Sequence, residues 1–189
     1  MEWNKAADYF TKALASSDPT PGGGAAAAQA GAMGAALLLM AVRTTLKRKN
    51  LTPQQLQALQ TGEERVAHLQ KNLSSCIFND SNAYECYLQA KRLPKEDFSR
   101  ESEIQNALEK AALVPAETAR EAVNVLEELQ TLQPFIAPII LADVACAKHL
   151  LQAAIHCAVE NIRVNTALIQ NKELVEKLDK QVQLFLKSC

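Results

Sequence analysis

Two carboxylates and one glycine run are the residues of this chain best suited to chemistry. Asp80 sits among Ile77, Phe78, Ala83 and Tyr84, and Asp143 among Leu141, Ala142, Val144 and Ala145. A carboxylate in such surroundings loses part of its hydration and holds its proton more tightly, which suits general acid or base work near neutral pH. The same side chain can instead cap or brace a neighbouring helix, and residue types alone leave both roles open for each Asp.

The glycine run is Ser16-Ser17-Asp18-Pro19-Thr20-Pro21-Gly22-Gly23-Gly24, followed by the charge-free stretch Ala25 to Met40. Five of the chain's six glycines fall between Gly22 and Gly34. Ser17 or Asp18 can cap, the two prolines set the entry turn, and three glycines leave the first N–H groups of the next helix uncovered, so a ligand can touch backbone there. Small residues also let two helices approach closely, which is the competing reading of the same segment. Asn161 and Asn165 lie four apart on one helix face and need partners wherever they are buried, from a neighbouring helix or a ligand. His149 and His156, with Glu160 a turn beyond, could ligate a metal, but no second ligand helix accompanies them and packing is the better expectation. Arg43, Lys47, Arg48 and Lys49 form one basic cluster, and Lys91, Arg92 and Lys95 a second; both read first as solvated helix ends. There is no G-x-S-x-G, no Cys with a recognisable His partner, and no Walker or dinucleotide glycine pattern.

The elements that must position these groups are helical. Trp3, Ala6, Ala7, Phe10 and Leu14 suit a first amphipathic helix, and Ala25 to Lys47 a long second one. From Pro53 an apolar pattern (Leu56, Leu59, Val66, Leu69, Leu73, Cys76, Ile77) runs on to Leu93, crossing Gly62, where a kink is expected. Leu93-Pro94-Lys95 stops that helix, because the residue before proline is pushed out of the α region. A fourth helix spans Glu101 to Thr131, with a kink expected at Pro115. Ile139 to Asn171 is apolar on most of its circumference, as expected of a helix covered by neighbours or by a second subunit, and Val175 to Leu186 closes the chain. The expectation is an all-α, up-and-down bundle of five to six long helices in a single domain over residues 1–189.

Bulk properties limit the partners. The 189 residues are 48% hydrophobic and 22% charged, with net charge −1 and a pI near 6.3, so no global field draws nucleic acid or an anionic bilayer, and neither is expected as a partner. Gly23 to Val42 is charge-free and followed by basic residues, imitating a membrane span, but its alanine and glycine content favours a buried bundle helix. Five cysteines, odd in number and without C-x-x-C, sit mostly in apolar helical stretches. This predicts buried thiols in a reducing compartment, the cytoplasm. Met1-Glu2-Trp3-Asn4-Lys5 lacks the order of a signal peptide and is expected to open the mature chain.

Taken together, Pro19-Thr20-Pro21-Gly22-Gly23-Gly24-Ala25-Ala26-Ala27-Ala28, Gly31-Ala32-Met33-Gly34-Ala35-Ala36-Leu37, and Asp80-Ser81-Asn82-Ala83-Tyr84 with Leu93-Pro94-Lys95 resemble the cyclodeaminase/cyclohydrolase family of folate enzymes in order and spacing. Asp143-Val144-Ala145 and Asn161-Ile162-Arg163-Val164-Asn165 extend the likeness over nearly the whole chain. The resemblance implies an all-helical homodimer that binds a tetrahydrofolate derivative as substrate at or near the subunit interface. Two activities occur in the family: cyclising formimino-tetrahydrofolate to methenyl-tetrahydrofolate with loss of ammonia, and opening methenyl-tetrahydrofolate with water to formyl-tetrahydrofolate. Both pass through a tetrahedral intermediate whose protons one carboxylate can shuttle without a metal.

Carried onto this sequence, the resemblance implies Asp80 as the acid/base and Pro21, Gly22, Gly23 and Gly24 as the folate-contacting segment. Asp143, Asn161 and Asn165 become polar pocket residues, and Lys47 or Arg48 the basic partner of the folate glutamate carboxylates. The chain departs from the pattern at three positions: Ala25 and Ala142 stand where members usually have Ser, and Ala137 where they have Asn. Thr44-Thr45-Leu46-Lys47-Arg48 also lacks the usual glycine. These losses keep a second reading beside the enzyme, that of a catalytically impaired helical dimer binding folate or a partner protein.

Overall fold

Every regular element among the described residues is helical. The computed structural model describes residues 3–189 and, of Trp3, only the backbone; Met1, Glu2 and the Trp3 side chain expected on the first helix lie outside the described residues. The helices are α1 (Trp3–Leu14), α2 (Gly23–Leu46), α3 (Pro53–Arg92), α4 (Arg100–Leu132), α5 (Leu141–Thr166) and α6 (Lys172–Lys187), with short 3₁₀ turns at Gln133–Phe135 and Pro138–Ile140. Thr52-Pro53-Gln54-Gln55 starts α3 by a full capping box: Thr52 Oγ1 accepts from the Gln55 amide and Gln55 Oε1 from the Thr52 amide. Asn171 caps α6 by accepting from Leu174 N–H at 3.2 Å.

Helices α2 to α5 form an up-and-down bundle in which α2 packs against both α3 and α5 and is the buried centre. Leu38, Leu59, Leu73, Leu129, Leu151, Ile155 and Ile162 are fully buried, each contributing about 1.5–3 kcal/mol of transfer free energy. The small residues of α2 set its spacing. A Cβ at Gly34 would come within 2.8 Å of Leu151 Cγ and 3.0 Å of the Ala147 carbonyl, and one at Gly31 within 3.0 Å of Leu73 Cδ2. Close helix approach is therefore the role of these two glycines.

Helix α3 runs unbroken for 40 residues, and Gly62 serves packing within it, its missing Cβ making room for Leu132. Two local expectations need correcting. Helix α5 ends at Thr166, earlier than its apolar pattern, because the next residues turn to place Asn171 at the start of α6. Only Cys76 is buried; Cys86 is half-buried and Cys146, Cys157 and Cys189 are exposed. Two of these exposed thiols, Cys146 and Cys157, lie on a face of α5 left uncovered among the described residues. By length and hydropathy α2 and the segment Pro138–Thr166 could both cross a membrane, yet 61% of the apolar window of α2 is buried in the bundle, against 28% for the other.

Candidate active site

The first turn of α2 meets the middle of α3 at Asp80. Gly22, the N-cap residue, has no side chain with which to cap, and Asp80 Oδ2 accepts from Ala25 N–H at 2.8 Å instead. A residue fifty-five positions away thus caps the helix, and the expected local cap by Ser17 or Asp18 does not form: Asp18 N–H donates to Ser16 Oγ, and both candidates are exposed. The approach is close enough that a Cβ at Gly24 would overlap the Asp80 carboxylate. From the other side the Asn161 amide of α5 lies 3.3 Å from where a Gly23 Cβ would be, its Nδ2 donating to the Cys157 carbonyl. No glycine has positive φ, so the run is required for space, and strictly so only at Gly24; at Gly22 a Cβ would meet nothing nearer than 3.7 Å. Pro21 enters this turn through a cis peptide after Thr20.

Electrostatics at Asp80 are set by two opposed causes. Burial raises its pKa above the ordinary carboxylate value and is the larger effect; the Ala25 N–H, which stabilises the charge, pulls it back. Among the described residues Oδ1 accepts from nothing, and the amides of Gly23 and Gly24 donate to nothing. The result is a half-buried carboxylate of raised proton affinity beside two free backbone donors at a helix N-terminus. That set can move a proton and hold developing negative charge.

The other sequence candidates divide by position. Lys47 ends α2 as its C-cap residue and Arg48 follows, both exposed and, at 1.5 Å per residue, about 35 Å along the axis from Gly24. Asp143 lies in the first turn of α5, eighteen residues before Asn161 and thus about 27 Å from it. It is half-buried and accepts no hydrogen bond among the described residues. These three share the far end of the bundle with Ala137, whose N–H donates to the buried Thr45 hydroxyl at 3.1 Å. Within one protomer, Gly22–Gly24, Asp80 and Asn161 are brought together, and Lys47, Arg48 and Asp143 are not brought to them. Ala25 is the one departure from the family pattern at the Asp80 end; Ala137 and Ala142 lie at the other.

Asn165 has a structural partner that the sequence encodes indirectly. Pro115 has no N–H, so the carbonyl of Ala111 four residues earlier loses its helical donor, and α4 continues through the proline because Asn165 Nδ2 supplies the bond at 2.8 Å. His149 and His156 are both exposed on α5, and among the described residues no three His, Cys, Asp or Glu side chains converge.

What sequence reasoning missed is the continuation of the Asp80 face. Tyr84, Tyr87 and Lys91 follow Asp80 at steps of four, three and four, one stripe of α3, beyond the point where α2 begins. The spacing was the available signal. A cavity of about 480 Å³ lies elsewhere, on the α4 side of α3 between Cys86, Leu93, Glu103 and Lys110, and Asp80 does not line it.

Comparison with known proteins gives three agreeing findings. The family model described as formiminotransferase-cyclodeaminase matches residues 6–184. A curated methenyltetrahydrofolate cyclohydrolase from Methylorubrum extorquens is 30% identical over 98% of this chain and 91% of its own length. A crystal structure of formiminotetrahydrofolate cyclodeaminase from Thermotoga maritima superposes with a TM-score of 0.85, covering 100% of this chain and 89% of that one, at 24% identity; it bears on the fold alone.

Proposed function

The chain belongs to the formiminotransferase-cyclodeaminase family, and from that premise we propose that it opens methenyl-tetrahydrofolate with water, as a cyclohydrolase, with Asp80 as the acid/base. The observation that carries this reading is the contact of Asp80 with the glycine turn: a carboxylate held by one oxygen on Ala25 N–H, with the other oxygen and the Gly23 and Gly24 amides free. Water adds to the carbon between the two folate nitrogens, Asp80 takes the proton it sheds, and a neutral tetrahedral adduct forms. Asp80 then returns the proton to the departing ring nitrogen, while the hydroxyl proton leaves as the formyl C=O closes. Raised proton affinity suits both halves of this exchange, since a group that titrates nearer neutrality is both a competent base and a competent acid. The Ser-to-Ala departure at Ala25 leaves the contact intact, because the donor is backbone.

The cyclisation of formimino-tetrahydrofolate with release of ammonia uses the same carbon and the same proton shuttle, and remains the second activity to test. Identity of 30% to a cyclohydrolase favours the hydrolytic direction. We also propose a homodimer. Its support is the uncovered apolar face of α5 and its flanks, where Ile139 is 88% exposed and Val164 67%, alongside Met33 and Met40 of α2. A cytoplasmic location accords with five free cysteines.

The test is optical. Mixing the protein with methenyl-tetrahydrofolate should bleach its near-ultraviolet chromophore faster than buffer does, with Asp80→Asn abolishing the acceleration. No acceleration would remove the cyclohydrolase, and no ammonia from formimino-tetrahydrofolate would remove the cyclodeaminase. Folate binding that survives both failures would leave the non-catalytic dimer.

A further inference from the structure

The stripe of α3 that is core beneath α2 does not stop where α2 starts. Leu73 and Cys76 are buried on it, Asp80 lies against Gly24 at the edge, and the same face then emerges as Tyr84, Tyr87 and Lys91. Tyr84 is 38% exposed, a large ring left partly in solvent where the stripe leaves the core. Its ring is tilted 50° to that of Tyr87 with centroids 6.1 Å apart, and the Lys91 ammonium reaches back over the Tyr87 ring at 5.4 Å. Lys91 has no carboxylate within ion-pair distance among the described residues. Arg92 beside it meets Glu85 loosely, at 3.9 Å. The ledge therefore runs outward from Asp80 as two rings followed by the unpaired Lys91 ammonium and the loosely paired Arg92, with Tyr87 seven residues, about 10 Å, from Asp80.

We propose that this ledge seats the arm of the substrate, the aromatic benzoyl spacer against Tyr84 and Tyr87 and the glutamate carboxylates on Lys91 and Arg92. The inference rests on the folate reading above and deepens it. It also replaces Lys47 and Arg48, at the far end of α2, as the carboxylate partners within a protomer. The order of groups along α3 matches their order in the ligand: reacting carbon, aromatic ring, carboxylates. Ring-on-ring contact and a charge-assisted hydrogen bond are the two interactions such an arm can make.

The experiment compares methenyl-tetrahydrofolate with the analogue that lacks glutamate, methenyl-tetrahydropteroate. Lys91→Met should raise KM for the glutamyl substrate about five- to tenfold at unchanged kcat and leave KM for the pteroate analogue unmoved, while Lys91→Arg should restore most of the loss. Tyr87→Leu should raise KM for both substrates. Equal effects of Lys91→Met on both substrates, or none on either, overturn the proposal. So does a glutamyl-specific KM increase in Lys47→Gln with none in Lys91→Met. If the wild-type protein turns over neither substrate, the activity falls separately, and calorimetric Kd values for tetrahydrofolate and tetrahydropteroate decide the ledge by the same pattern. Absence of binding by either ligand overturns both readings.

Discussion

The two ends of α2 each bring a carboxylate near the helix terminus, in different surroundings. At Gly23–Ala25 a carboxylate from α3 and an amide from α5 close on bare backbone; at Lys47–Arg48 the charges stand in solvent, and Asp143 nearby accepts no bond among the described residues. What separates the ends is convergence. Asp80, Gly24 and Asn161 are far apart in sequence and adjacent in space, and each constrains the others, whereas Lys47 and Arg48 are neighbours in sequence at the exposed end of α2. Burial between helices raises the proton affinity of Asp80 and the Ala25 N–H orients it, a combination that acid–base chemistry uses.

Substitution at Asp80 tests the contrast most strongly. Asp80→Asn keeps an acceptor for Ala25 N–H and loses the titrating group, so kcat/KM should fall by about 10² to 10⁴ while the melting temperature stays near that of the wild type. Asp80→Ala also loses the cap and should cost about 1 kcal/mol, seen as a lower denaturation midpoint. Turnover retained in Asp80→Asn would reduce the residue to its capping role.

Gly24→Ala comes next. Early in a helix alanine is favoured over glycine by up to about 1 kcal/mol, so a net loss of stability and of at least tenfold in turnover reports the overlap with the Asp80 carboxylate. Gly22→Ala is the control, with activity and melting temperature near those of the wild type.

Asn165→Ala should destabilise by about 1–3 kcal/mol in urea unfolding by stranding the Ala111 carbonyl. In a Pro115→Ala background, where the helical N–H is restored, the same change should cost less. Equal costs in both backgrounds would break the link between the proline and the asparagine.

A smaller effect concerns pH. Because the folded-state pKa of Asp80 lies above its ordinary 3.8, the folded chain binds the extra proton, and its contribution to stability is lost as pH rises through the window from 3.8 to the raised value. Denaturation midpoints of wild type minus Asp80→Asn, followed upward from pH 3.5, should fall across that window and then level off. The least effect is expected at the other end: Lys47→Gln and Arg48→Gln should change KM by less than about twofold, as exposed single charges do. A large change there would mean that a second copy brings this end to the site.

The sequence by itself determined the helical class and the course of α2 to α4, since these follow from apolar periodicity and from capping and proline stops, and it singled out Asp80 and Asp143 as the two acids standing among apolar neighbours. It also held the Tyr84, Tyr87 and Lys91 spacing, legible only once Asp80 is known to sit at the edge of the core. The tertiary structure alone decided that Asp80 rather than Ser17 or Asp18 caps α2, that Gly24 gives room to a carboxylate while Gly34 gives room to a helix, and that Asn165 answers a proline on α4. Those choices depend on registers between antiparallel helices, where a shift of one residue turns a side chain by about 100°. Periodicity along a single strand of sequence says which face is buried, and the register of packing says what that face meets.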